Sequence, residues 1–160
     1  MKTKKSINWI VLICFILGVE ILGSLSSLFA GNIKAIYNAL SLPPLSPPDY
    51  IFGIVWPLLY LLIALSGYFI FQSIAFKRDK VASFILFTTQ LVLNFVWSIV
   101  FFGGDFYWFG LLIVVILDLV VLGCIWHFYR VSRIASLLLL PYFVWILFAT
   151  YLTLGVAVLN

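Results

Sequence analysis

The chain has 160 residues, of which 66% are hydrophobic and only 9% charged, with a net charge of +4 and a mean hydropathy of +1.26. These values lie far outside the balance of a water-soluble domain, so an integral membrane protein is expected. The surplus of positive charge reads as an orientation signal, and no nucleic-acid partner is expected.

A helix needs ~20 mostly apolar residues to cross the hydrocarbon core. Five runs meet that length: 7–29, 51–76, 81–102, 106–129 and 134–159. None alternates in the short segments of a transmembrane barrel. The predicted fold class is an all-α, five-transmembrane-helix bundle forming one domain over 1–160, with a long proline-rich first loop at 30–50.

Lys2, Lys4 and Lys5 precede the first run. A lysine-rich start before an apolar stretch also describes a signal peptide. This run is longer than such a segment, and only a weak cleavage site stands at Ala30, so a retained span is expected. Glu20 lies near its middle and shares a helical face with Ser24 and Ser27. Cys14 and the later Cys124 have no paired spacing, and both read as buried free thiols.

The loop carries Pro43, Pro44, Pro47 and Pro48 within six residues, which excludes helix interior and central strand and predicts a stiff, extended segment. Ahead of the prolines, a short helix is expected around Ile33 to Leu40, bearing Tyr37, with Gly31 and Asn32 as a hinge. The loop is thus expected to act as a lid, with Tyr37 and Pro47 closing above Trp56. The second run tolerates Pro57 near its start and places Trp56 and Tyr60 one turn apart. In the third, Gln90, Asn94, Trp97, Ser98 and Phe101 share a face. The fourth carries Asp118 at its middle, and the fifth places Tyr142, Trp145 and small Ala149 together.

Lys77, Arg78, Lys80, Arg130 and Arg133 fall on the same side as the N-terminal lysines, and the opposite side holds Lys34, Asp49 and Asp105. The positive-inside rule then predicts a cytoplasmic N-terminus and an outer C-terminus. In that orientation Trp56, Tyr60, Asn94, Trp97, Trp145 and Ala149 reach similar depths below the loop, as the walls of an apolar pocket for a flat hydrophobic ligand. Trp9, Trp108 and Trp126 read as interfacial belt residues. A buried carboxylate is costly in hydrocarbon, so Glu20 and Asp118 should face the bundle interior, Asp118 as a protonated, paired carboxyl. For Glu20 and Gln90, helix-helix hydrogen bonding and a ligand role both stand open.

The segments IYNALSLPPLSPPDYIFGIVWPLLY, QLVLNFVWS and LLLLPYFVWILFATYL, with the five-span layout, resemble the TspO/MBR family over nearly the whole chain. The resemblance implies a membrane protein, often a homodimer, that binds porphyrins and hydrophobic drug-like molecules under its first loop. It places the ligand-binding set at Tyr37, Pro47, Phe52, Trp56, Tyr60, Asn94, Trp97, Trp145 and Ala149, with Pro141 part of the fifth-helix motif. Ile36, Leu42, Leu45 and Thr153 depart from the family's usual tryptophan, lysine, tryptophan and asparagine. No basic residue follows Tyr151, so the sterol-contact pattern is not supported.

Three functions compete. The first is a porphyrin receptor, sensor or carrier with a role in tetrapyrrole handling or stress regulation. The second is a small-molecule transporter, for which no inverted repeat is visible. The third is light-dependent porphyrin degradation using Trp56 and Trp145. No cofactor or metal is expected, and His127 reads as an interfacial residue rather than a haem ligand. The expected partners are a porphyrin or other hydrophobic small molecule, the lipid bilayer and a second copy of the chain. The expected location is a bacterial cell membrane, with the chain crossing it several times.

Overall fold

The computed structural model describes residues 6–160; the N-terminal lysines of the orientation argument lie outside them. The described residues form seven helices: α1 Trp9–Ala30, α2 Ile33–Ala39, α3 Tyr50–Gln72, α4 Lys77–Ser98, α5 Tyr107–Val131, α6 Arg133–Leu138 and α7 Leu140–Leu159. Five spans are long and apolar enough to cross a membrane, α6 and α7 counting together as the fifth.

Local chemistry explains where the helices begin and end. Asn8 caps α1 by accepting from the Val11 N–H at 3.2 Å, and Asn32 caps α2 through Ala35 at 3.1 Å. Gly31, with φ of 90°, supplies the turn between these two helices. α3 stops at Gln72, four residues before the predicted limit of its apolar run. Its last carbonyls are taken up by the Lys80 ammonium, which reaches Phe71 O at 2.6 Å and Ser73 O at 3.2 Å. The fifth span is broken at Leu139, two residues before Pro141, whose ring and missing N–H cannot continue the ladder of α6.

α4 does not end as a regular helix. It widens into a π-helical turn, Ile99–Gly103, in which Phe101 and Phe102 are both buried. Their rings meet edge to face at 4.8 Å, and Trp97 stacks on Phe101 at 5.7 Å.

α1 packs against α3, α4 and the turn that follows α4, while α5 packs between α4 and α7. α1 and α3 are antiparallel, joined at one end by the Asn8 N–H donating to the Tyr68 hydroxyl at 3.0 Å. Two cores result. The inner one centres on Ile63, Leu117, Val121, Phe128 and Tyr142. The outer one gathers Tyr37, Trp97, Phe101, Val114 and Ala149. Ser66 and Ser136 stitch α6 to its neighbours by donating to Ala135 O at 2.7 Å and Ile125 O at 2.8 Å.

The two cysteines divide. Cys124 is buried as expected, whereas Cys14 is exposed on the outer surface of α1, because that helix covers the bundle with only one narrow face. Trp9, Trp108 and Trp126 are all exposed, and the Arg130 guanidinium lies 5.8 Å from the Trp126 ring, as fits an interfacial belt. Asp118 is buried against α7, where Thr150 donates to its Oδ2 at 2.7 Å.

Candidate functional site

The loop between α2 and α3 is fastened along its length. Pro44 and Leu45 form its turn, with Leu45 at φ 66°, a left-handed conformation unusual for a branched side chain. Ser46 closes the turn by donating to Pro43 O at 2.7 Å. The Asn160 side chain grips Ser41 twice, donating to its carbonyl at 2.9 Å and accepting from its N–H at 3.0 Å. Tyr151 donates to Pro44 O at 2.6 Å, and the Pro43 ring lies on Gly155 so closely that a β-carbon there would sit 2.4 Å from Pro43 Cγ. The proline segment is therefore a strap seated on the C-terminal end of α7.

The other half of the loop closes onto α2. Tyr37 donates to Pro47 O at 2.8 Å, and Asn38 donates to Asp49 Oδ2 at 2.8 Å. Burial pushes the Tyr37 phenol above its ordinary value, a shift opposed by the neighbouring Ser46 hydroxyl and increased by the Asp49 charge. Asp49 is held below the usual carboxylate value, first by the Asn38 hydrogen bond and then by Lys34, whose ammonium lies 3.7 Å away. The Lys34 side chain is exposed, so solvent screens this ion pair and leaves it weak.

Beneath α2 lies a cavity of about 630 Å³ bounded by α1, α3 and the C-terminal part of α4. This size suits a small organic ligand. Its aromatic wall consists of Trp56, Tyr60 and Trp97: Trp56 lies 5.4 Å from Tyr60 and 6.3 Å from Trp97 between ring centroids. Phe52 and Tyr37 close the outer side, edge to face at 4.9 Å. At the inner end the Tyr60 hydroxyl donates to Asn94 Oδ1 at 3.3 Å, and Asn94 Nδ2 donates to Tyr142 Oη at 3.1 Å. The Asn94 amide is thus oriented from both sides, with one N–H and one lone pair still available. The Trp97 ring lines the cavity, while its indole N–H is buried away from the open space and has no partner among the described residues.

Six of the nine residues singled out from sequence line this cavity: Tyr37, Phe52, Trp56, Tyr60, Asn94 and Trp97. Pro47, Trp145 and Ala149 stand outside its lining. Pro47 anchors Tyr37 through its carbonyl, Ala149 belongs to the outer core, and Trp145 packs edge to face on Phe52 at 6.0 Å. Of the two tryptophans considered for photochemistry, only Trp56 faces the cavity. His127 is remote from it, its Nε2 lying 3.2 Å from the Asp79 carbonyl oxygen.

The lining also includes residues that the set omitted. Glu20, Gly23, Ser24 and Ser27 form the α1 wall; the spacing of Glu20, Ser24 and Ser27 marks that face in the sequence. Phe102 joins through the π-helical turn, which has no sequence signature of its own.

Residues 10–159 match the TspO/MBR family. This chain belongs to the TspO/MBR family. It is 39% identical to the tryptophan-rich protein TspO of Archaeoglobus fulgidus, over 96% of this chain and 99% of the relative. It is 31% identical to the translocator protein of Homo sapiens, over 72% of this chain and 69% of that one. Against the tryptophan-rich sensory protein of Cereibacter sphaeroides the identity is 29%, over 78% and 76%. The TspO/MBR match extends through all five spans and the strap, so the cavity is enclosed by matched segments on every side.

Proposed function

We propose that this TspO/MBR protein is a membrane receptor or carrier that takes flat, hydrophobic tetrapyrroles of the porphyrin class into the cavity beneath α2, in the service of tetrapyrrole handling or stress sensing. The observation that carries this reading is the aromatic wall of Trp56, Tyr60 and Trp97. Stacking on these rings and apolar burial supply most of the affinity, and the Asn94 amide supplies direction. Lys77, Arg78, Lys80, Arg130 and Arg133 share the end of the bundle opposite the cavity. By the positive-inside rule that end is cytoplasmic, so the cavity opens toward the outer face of a cell membrane. The homodimer implied by the family belongs to the same reading, and mass measurement in nanodiscs that found only monomers would remove it.

The test is quenching of tryptophan fluorescence by protoporphyrin IX in nanodiscs. Trp56→Phe combined with Trp97→Phe is expected to weaken affinity by about tenfold, because each substitution removes stacking area. Unchanged affinity in the double variant would overturn the reading. Porphyrin recovered intact after illumination separates a binder from a light-dependent degrading protein.

A further inference from the structure

Most polar groups at the inner end of the cavity satisfy one another, and Glu20 does not. Tyr60 donates to Asn94, and Asn94 donates to Tyr142. Glu20 lines the cavity at that level and makes no hydrogen bond or ion pair among the described residues. It stands ten residues from the outer end of α1, about 15 Å along the helix axis and hence near the middle of the hydrocarbon core. Among the described residues Lys34 is the one cation lining the cavity, and it is paired with Asp49 rather than with Glu20.

An unpaired carboxyl at that depth is expensive; on insertion scales it costs on the order of 2.5 to 3.5 kcal/mol. Such residues face polar cavities and mark ligand or ion pathways. The surroundings narrow the choice. Ser24 and Ser27 are exposed on the same face of α1 and continue the polar stripe from Glu20 to the rim. The opposite wall is aromatic, formed by Trp56 and Trp97. A ligand that fills this space has one broad apolar face against α3 and α4, and polar edge groups along α1.

We propose that Glu20 is a specificity-determining residue that selects flat aromatic ligands presenting a basic, hydrogen-bond-donating nitrogen at their inward end. The inference rests on the cavity reading above and adds the chemistry of the ligand's leading edge. A cationic nitrogen at the floor supplies the partner that Glu20 lacks, and charge-assisted hydrogen bonds are strong where water is excluded. Carboxylate groups of an amphiphilic ligand would then point outward, toward Lys34.

The test compares 1-pyrenemethylamine with 1-methylpyrene, a pair of the same flat shape differing in the amine. Binding is read by energy transfer from the tryptophans, with the protein in nanodiscs and empty nanodiscs as the partition reference. Wild-type protein is expected to hold the amine about tenfold more tightly than the hydrocarbon, with protoporphyrin as a third ligand that lacks the amine, and Glu20→Gln to abolish that preference. Glu20→Asp, which keeps the carboxyl, should retain most of the preference. An equal preference in wild type and Glu20→Gln would overturn the proposal. So would a uniform loss of all three ligands in Glu20→Gln, which would assign the residue to packing. If neither 1-methylpyrene nor protoporphyrin binds the wild type, the cavity reading falls first, and this proposal with it.

Discussion

Substituting Gly155 by alanine tests whether the proline strap is held by α7. In an exposed helix the change would stabilise by about 1 kcal/mol, because alanine loses less backbone entropy than glycine. Here the added β-carbon would lie 2.4 Å from Pro43 Cγ and 2.5 Å from Pro43 Cβ. Ordinary carbon contacts need roughly 3.5 to 4.0 Å, and a pyrrolidine ring cannot rotate out of the way. The strap must therefore lift by about 1 Å or more. The two bonds between Asn160 and Ser41, now 2.9 and 3.0 Å, would then be stretched beyond useful length. Losing them costs about 1 kcal/mol each, and the steric conflict adds a further 1 to 3 kcal/mol, so strain outweighs helix propensity. The assay is hydrogen exchange at the Ser41 amide, which should speed up by about tenfold or more in Gly155→Ala. Asn160→Ala removes the same bonds without a clash and should give a similar acceleration. Unchanged Ser41 exchange together with a higher melting temperature in Gly155→Ala would refute the reasoning and show that the strap does not need α7.

Gly23 gives way to the Tyr60 ring, and a β-carbon there would meet Tyr60 Cε2 at 2.1 Å. Gly23→Ala should push Tyr60 off Asn94 and cost about 1 to 3 kcal/mol in thermal unfolding, whereas adding Tyr60→Leu should recover part of that loss; additive effects in the double variant would count against the contact. The Asp49 latch should loosen in acid. Its folded-state value lies below the ordinary 3.8, so its contribution is complete above that value and disappears as pH falls through the lowered one. Pepsin cleavage within residues 40–49 should rise across that interval in the wild type, and Asp49→Asn should show a much flatter pH response; identical acid profiles would exclude the latch.

Much of the architecture was legible because hydrocarbon leaves a chain few choices. Backbone groups without water must pair within helices, so five long apolar runs had to become five spans. Four clustered prolines had to form an extended segment. The polar face of Glu20, Ser24 and Ser27, and the aligned Asn94 and Trp97, had to look away from lipid, and all of them line the cavity. Other features depended on contacts between residues distant in sequence. α3 could end at Gln72 because Lys80 of the next helix takes up its carbonyls. The proline loop carries no mark in its own residues of being fastened to Gly155 and Asn160, more than a hundred positions away, so a freely closing lid and a fastened strap read alike in the sequence. Trp145 and Trp56 are equally aromatic and reach similar depth, yet the rotation of α7 against α3 seats Trp145 on Phe52 and leaves the cavity to Trp56. The π-helical turn brings Phe102 to the same cavity. Hydropathy and helical period specify how deep a residue lies and which side of its own helix it occupies, whereas the neighbour it meets depends on how the helices are rotated and packed against one another.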